Sequence, residues 1–369
     1  MSAVPLHGPA FGSYAPDEVS WLLTDLSHVD LEAPTEQREA AVQSGRAHYA
    51  ESLPVEYRPG PAYAALFERA LVEHGPGVAH AVATLAHLLV EVRGRDLVLA
   101  SLARAGTPVG VLLRRYAARL GLDWPHHTLS IVRGRGIDGV ALEHLATHHD
   151  PARVVFVDGW TGKGAITREL TAAIGAHPGF DPRVAVLADP GSCTELFGTR
   201  DDFLIPSACL NSTVSGLVSR TVLNDELIGP GDFHGAKFYA ELADEDVSGR
   251  YLDAVGASFD DVADSAREAA RRLAASDRTP TWSGWRSVEA VAAAHGIDDL
   301  NLVKPGVGET TRVLLRRVPW RVLVRPDRRA HLGHVLELAA ERGVPVVEVD
   351  DLAYSCVGII RPGVGAGEG

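Results

Sequence analysis

Apolar and polar positions fall in blocks along this chain. Continuous apolar runs at 97–100, 154–157 and 184–187, and a mostly apolar one at 129–132, are separated by stretches several of which have apolar residues at helical spacing. A short unbroken apolar run predicts a strand buried on both faces, and helices between such strands predict a parallel sheet wound with right-handed crossovers. The spacing of Leu66, Ala70 and Leu71, then of Val82, Leu85, Leu88 and Leu89, predicts two helices over 62–93. A further apolar helix is expected over 109–120 and a helical pattern over 240–275. The segment 11–19 reads as a turn feeding a helix with Pro16 near its first turn, and Trp21, Leu22 and Leu23 as an apolar patch docking on the main domain. Near the C-terminus the order is helix 309–315, strand 321–325, helix 332–341, strand 344–349, then a last helix opening at Leu352.

Composition narrows the class. A chain of 369 residues predicts two or three domains, each with its own core. Hydrophobic content of 46% and charged content of 22% belong to a soluble globular protein. The net charge of −13 argues against a protein that coats nucleic acid, while leaving room for a local basic patch. Cys193, Cys209 and Cys356 are too few and too scattered for a disulfide framework or a zinc knuckle. No signal peptide opens the chain and no apolar run approaches transmembrane length, so the cytoplasm is the expected location.

The chemistry concentrates in VVFVDGWTGKGAITRE at 154–169. Four apolar residues end in Asp158, and a turn with Gly159, Gly162 and Gly164 follows before a helix expected near Ala165. Such a turn lets backbone N–H groups converge on an anion at the positive end of a helix. Thr161 and Lys163 add a hydroxyl and a cation. The spacing is not that of a Walker A loop, because Gly164 rather than Ser or Thr follows Lys163, nor that of a Rossmann GxGxxG. A second strand–loop–helix unit carries Ser101, Arg104 and Gly106, and a third loop carries Arg133 and Arg135 between glycines. His126 and His127 point to opposite faces if they sit on an edge strand, and no third ligand is close, so a histidine metal site is not expected. The segment 201–221 is dense in hydroxyls around Cys209, with Asn211, Ser212, Thr213 and Ser215 suited to a binding hood. Cys209 is either a buried inert thiol or a nucleophile paired with His234.

Two family resemblances attach to these motifs. The 154–169 run resembles the phosphoribosyl-pyrophosphate loop of type I phosphoribosyltransferases, with Gly159 standing where those enzymes usually carry a second acid. The tail sequence RGVPVVEVDDLAYSCVG resembles the Pelota/L7Ae-type RNA-binding domain. Arg312, Arg316, Arg317, Arg321, Arg325, Arg328 and Arg329 face a single acid, Asp327, over 312–329, and predict a phosphate-binding face. Together with the N-terminal GSYAPDEV, the chain resembles over nearly its whole length the phosphoribosyltransferase-like family of bacterial tellurite-resistance (Ter) stress gene neighbourhoods, also described as the cysteine protease StiP family.

The resemblance implies an α/β type I phosphoribosyltransferase-like parallel sheet at 61–275 behind an N-terminal extension at 1–60. A linker at 276–300 and a small α/β Pelota/L7Ae-like domain at 301–369 complete it. Ribose 5-phosphate would pass from phosphoribosyl pyrophosphate (PRPP), with Mg2+, to a nucleobase-like or other small acceptor. Asp158 would hold the ribose and Arg104, Arg133 and Arg135 the departing pyrophosphate; Ser101, Gly106, Thr161, Gly162, Lys163, Gly164 and Ala165 would cradle phosphate. Mg2+ would sit mainly on ligand oxygens, with Asp158 as its one protein contact, and RNA would meet Arg312, Arg316 and Arg317. A homodimer fits this class. Two alternatives stand beside transfer: a cysteine hydrolase using Cys209 or Cys193 with a histidine, and a non-catalytic ribonucleotide or RNA sensor.

Overall fold

A computed structural model describes residues 3–33, 48 and 50–361. Its main sheet has six strands, all parallel: β1 Ser20–Trp21, β2 Val98–Leu102, β3 His126–Leu129, β4 Val154–Trp160, β5 Val184–Ala188 and β6 Leu196–Thr199, in the order β1-β3-β2-β4-β5-β6. Every residue of β2 and β5 is buried, as the unbroken apolar letters of β5 and the single hydroxyl of β2, Ser101, allow. The two-residue period of a strand then sorts the core. Val155 and Val157 of β4 pack on the side of helices α1 Pro61–Arg93, α2 Thr107–Arg119, and, later in the chain, α5 and α6 (Ser248–Gly256 and Phe259–Ala274). Val154 and Phe156 face the other layer, with α3 Gly139–His148 and α4 Ala165–Ile174.

Several local expectations are corrected by tertiary context. The pattern over 62–93 forms one helix of 33 residues rather than two, with Pro76 inside it. Losing one backbone bond at Pro76 costs about 3 kcal/mol. Burial of residues on both sides, from Leu66 to Leu71 and from Val78 to Leu89, outweighs that cost. By length and apolarity alone this helix could cross a membrane, although 61% of its most apolar window is buried inside the protein. The strand read at 129–132 is two pieces: β3 ends at Leu129, while Ile131–Val132 pairs antiparallel with Gly136–Ile137. No helix follows Pro16; the chain goes straight into β1, which pairs through Ser20 and Trp21 with His127 and Thr128. His126 and His127 therefore lie one strand in from the edge, and both are buried.

The C-terminal part forms a four-stranded sheet, β7 Val303–Pro305, β8 Pro319–Val324, β9 Val346–Glu348 and β10 Cys356–Ile360, in the order β7-β10-β8-β9. Helices α7 Ser283–Ala294, α8 Val307–Arg316 and α9 Gly333–Glu341 accompany it. The last helix expected from Leu352 is absent; the apolar run at 356–360 instead pairs antiparallel with both β7 and β8. This sheet is bonded to the core. Helix α8 starts at Gly306 without a side-chain cap of its own. Asp202 of the core supplies it, accepting from the Val307 N–H at 2.9 Å and the Ser355 N–H at 2.8 Å.

Candidate functional site

Strand order reverses between β2 and β4, where open α/β sheets leave a crevice at the carboxyl ends of their strands. A cavity of about 460 Å³ lies there. Leu102 to Ala105 with Asp158 and Trp160 form its floor, Ser207, Leu210 and Asn211 one wall, and Lys304, Glu309, Arg312, Arg316 and Arg317 of the C-terminal part the other. The site is thus composite.

Its charges are arranged tightly. Arg312 donates to the Ala208 carbonyl at 3.2 Å, pairs with Glu309 at 2.9 Å and stands over the Trp160 ring at 5.0 Å. Arg316 donates to the Cys209 carbonyl at 3.1 Å and lies over Tyr57 and Tyr63. Arg104 pairs with Glu56 at 3.1 Å. Burial raises the Asp158 carboxyl to about 6, against the opposing pull of the Gly159 N–H and the Arg312 charge. Burial would raise Glu309 as well, but Arg312 and Lys304 outweigh it and hold that carboxyl below its ordinary range. Burial, with Arg317 and Arg133 nearby, lowers the Lys304 ammonium against the pull of Glu309.

The residues expected to cradle phosphate are placed differently. The Thr161 N–H continues the sheet by donating to the Ala188 carbonyl at 3.0 Å, and its hydroxyl donates to buried Asp189 at 2.5 Å. Lys163 donates to the Leu300 carbonyl at 2.7 Å; burial first, then Lys304 and Arg133, lower it to about 8. Gly162 accepts a hydrogen bond at its carbonyl from the Tyr354 hydroxyl at 3.0 Å. Gly164 is left-handed at φ 76, and a side chain there would meet the Trp282 ring at 2.4 Å. The turn expected to wrap a phosphate, ending at Ala165, is buttressed by the C-terminal part and still lines a cavity of about 270 Å³ together with Arg133, Asp158 and Lys304. Ser101 lies inside β2 with its hydroxyl 2.6 Å from His126, and Gly106 caps α2 against the Val157 carbonyl. The N–H groups of Gly134 and Gly136 are taken by Glu169, at 2.8 and 3.0 Å. Arg133 reaches Asn301 and Arg135 pairs with Glu51, so these two arginines do not converge with Arg104 on one point. Asn211 donates to the Tyr57 carbonyl, Thr213 to Asn211 and the Ser212 N–H to Glu56, so the hood's polar groups are largely taken by the 56–57 segment and by one another. The basic tail is no single face either: Arg312 and Arg316 turn inward, Arg325 pairs with Asp327 and Arg329 with Glu348.

All three cysteines are free and buried. Burial pushes the Cys193 and Cys209 thiols up to about 12; Asp189 adds to this at Cys193, whereas Arg312 and Arg316 oppose it at Cys209. Among the described residues no histidine ring hydrogen-bonds a cysteine sulfur. His234 is paired elsewhere, with Ser130 at 2.8 Å through its ring and with Asp138 at 2.6 Å through its N–H, so the expected Cys209–His234 pair is corrected.

Residues 12–256 match the family described as tellurite-like stress resistance cysteine protease StiP. The chain belongs to the StiP family. Residues 282–362 match the PELOTA RNA-binding domain. A relative from Acinetobacter baylyi, named cysteine protease StiP, is 34% identical over 366 residues, covering 95% of this chain and 94% of its own. No solved structure matches the chain.

These matches overturn pentosyl transfer as the activity, and with it PRPP as co-substrate and Mg2+ as cofactor. Sequence reasoning missed Trp160, Lys304 and Glu309, because nothing local marks residues that meet only when two sheets dock. It also missed Glu169, whose place in the first turns of α4 carries no signal of the glycine loop it fills.

Proposed function

We propose that the chain is a thiol-dependent peptidase, on a sheet that is type I phosphoribosyltransferase-like in its architecture but not in its chemistry. The observation that carries this reading is the 34% identity to a cysteine protease over 95% of the chain. Cys209 is the thiol the geometry favours. Its neighbours Ser207, Leu210 and Asn211 line the cleft, Arg316 is anchored on its carbonyl, and the charges of Arg312 and Arg316 favour a thiolate. Cys193 instead packs near the Gly162 carbonyl beside Asp189, whose charge opposes a thiolate.

In this reading the Cys209 sulfur attacks a peptide carbonyl in the cleft, the amine leaves with a proton, and water releases the acyl group. The resting thiol is protonated, so loosening of the 206–212 turn by substrate precedes attack. The test replaces Cys209, Cys193 and Cys356 one at a time by Ser and follows peptide hydrolysis and far-UV circular dichroism. Only Cys209→Ser should lose activity, by on the order of a thousandfold or more, with its fold retained. Activity surviving in Cys209→Ser would move the nucleophile elsewhere. A wild type that hydrolyses no peptide and no protein would remove the peptidase reading.

A further inference from the structure

The cleft carries more positive charge than the fold uses. Its walls hold Arg104, Lys304, Arg312, Arg316 and Arg317 against two carboxylates, Asp158 and Glu309, in a chain whose net charge is −13. Arg104 and Arg312 have partners in Glu56 and Glu309. The Lys304 ammonium makes no hydrogen bond or ion pair among the described residues, although it is drawn down by burial. Arg316 lines the cavity with its guanidinium held on the Cys209 carbonyl and over the Tyr57 and Tyr63 rings, and no carboxylate among the described residues pairs with it. Cations that line a cavity without a carboxylate partner mark where a ligand's acceptors go.

We propose that the cleft recognises acidic peptide: substrate carboxylates on Lys304 and Arg316, with backbone N–H groups of the same segment donated to Asp158 and Glu309. The ligand class rests on the peptidase reading; the charge pattern does not. Alternating signs fit a peptide, which brings acceptors and donors together. A polyphosphate or DNA backbone brings acceptors only and would be set against both carboxylates, and an RNA backbone adds only its 2′-hydroxyls as donors. The outward basic surface that RNA would need is also reduced, because Arg312 and Arg316 point into the cleft. A cavity of about 460 Å³ holds a few residues of peptide, and Trp160 offers an apolar face among the charges.

The experiment uses the full chain, a blocked fluorescent peptide rich in Glu and Asp, and its Gln/Asn counterpart. Binding is read by anisotropy at low and moderate salt, and hydrolysis as kcat/KM. The acidic peptide should be preferred about tenfold or more, and the preference should shrink with salt. Lys304→Gln should remove most of the preference with an unchanged melting temperature, and Lys304→Arg should restore it. Equal handling of the two peptides overturns the inference, and if both are cleaved the peptidase reading survives it. Preferential binding without cleavage keeps the acidic-peptide site and removes the peptidase. Binding of neither peptide overturns the inference. Displacement of the acidic peptide by short single-stranded RNA, itself lost in Lys304→Gln, assigns the cations to nucleic acid and overturns it too.

Discussion

Tyr354→Phe isolates the contact that holds the C-terminal part on the 161–164 turn. Tyr354 is fully buried and its hydroxyl donates to the Gly162 carbonyl at 3.0 Å. Phe keeps the ring and leaves that carbonyl without its donor, at a cost of about 1–2 kcal/mol. At about 1.4 kcal/mol per tenfold, local opening of this seam becomes roughly 5–30 times more populated. Cys193 reports on it, since one point beside Gly191 lies 2.9 Å from its sulfur and 3.3 Å from the Tyr354 hydroxyl. With fast reclosing, labelling follows the population of the open form. Disulfide exchange with an aromatic disulfide at fixed pH, mapped by mass spectrometry of the three cysteine peptides, should show Cys193 about 5–30 times faster and Cys209 unchanged. Equal acceleration at Cys193, Cys209 and Cys356 would signal global destabilisation. An unchanged Cys193 rate would mean that this hydroxyl does not hold the seam. Either result refutes the reasoning.

Two further predictions follow from burial. Burial drops the His126 ring to about 4 from 6.5, and a depressed histidine stabilises the fold above its unfolded pKa and loses that contribution as pH falls toward its folded one. Urea unfolding between pH 6.5 and 4 should therefore show the wild type losing about 3 kcal/mol more than His126→Gln, the remaining loss coming from other buried histidines such as His127 and His334; equal slopes would reject the assignment. Gly164→Ala should lower stability by about 2–3 kcal/mol through its left-handed backbone and the clash with Trp282, while Gly139→Ala, with no atom within 4 Å of the added carbon, should be neutral or slightly stabilising. Thermal unfolding of the pair checks both, and comparable melting temperatures would contradict the geometry.

The parallel sheet was legible because its central strands are buried on both faces and so are written in unbroken apolar letters, as at 154–157 and 184–187. Strand β3 was displaced by three residues because it opens with His126, His127 and Thr128, polar letters whose burial is possible only through partners elsewhere. Those partners are the Ser101 hydroxyl, the Glu18 carbonyl and the His149 ring. Strand β1 is two residues long, below what any periodicity can register. The loops at 101–106 and 158–164 lie at strand ends as expected. A glycine turn looks the same in sequence whether or not a neighbouring domain meets it, and here Tyr354, Trp282 and Leu300 all reach it. Lys304 and Glu309 lie about a hundred and fifty residues from Asp158, and only the docking of the two sheets brings them to its side.

The Asp202 contact has a consequence for how this chain behaves as an assembly of parts. Without the core, α8 begins with bare N–H groups after a glycine that offers them nothing, and the backbone at Ser355 loses its acceptor as well. The second sheet therefore does not carry a complete helix start of its own. Transplanted to another partner, it would need a carboxylate supplied at the same spot. The segment that matches the second family thus has one of its helix starts completed by a single acid of the segment that matches the first.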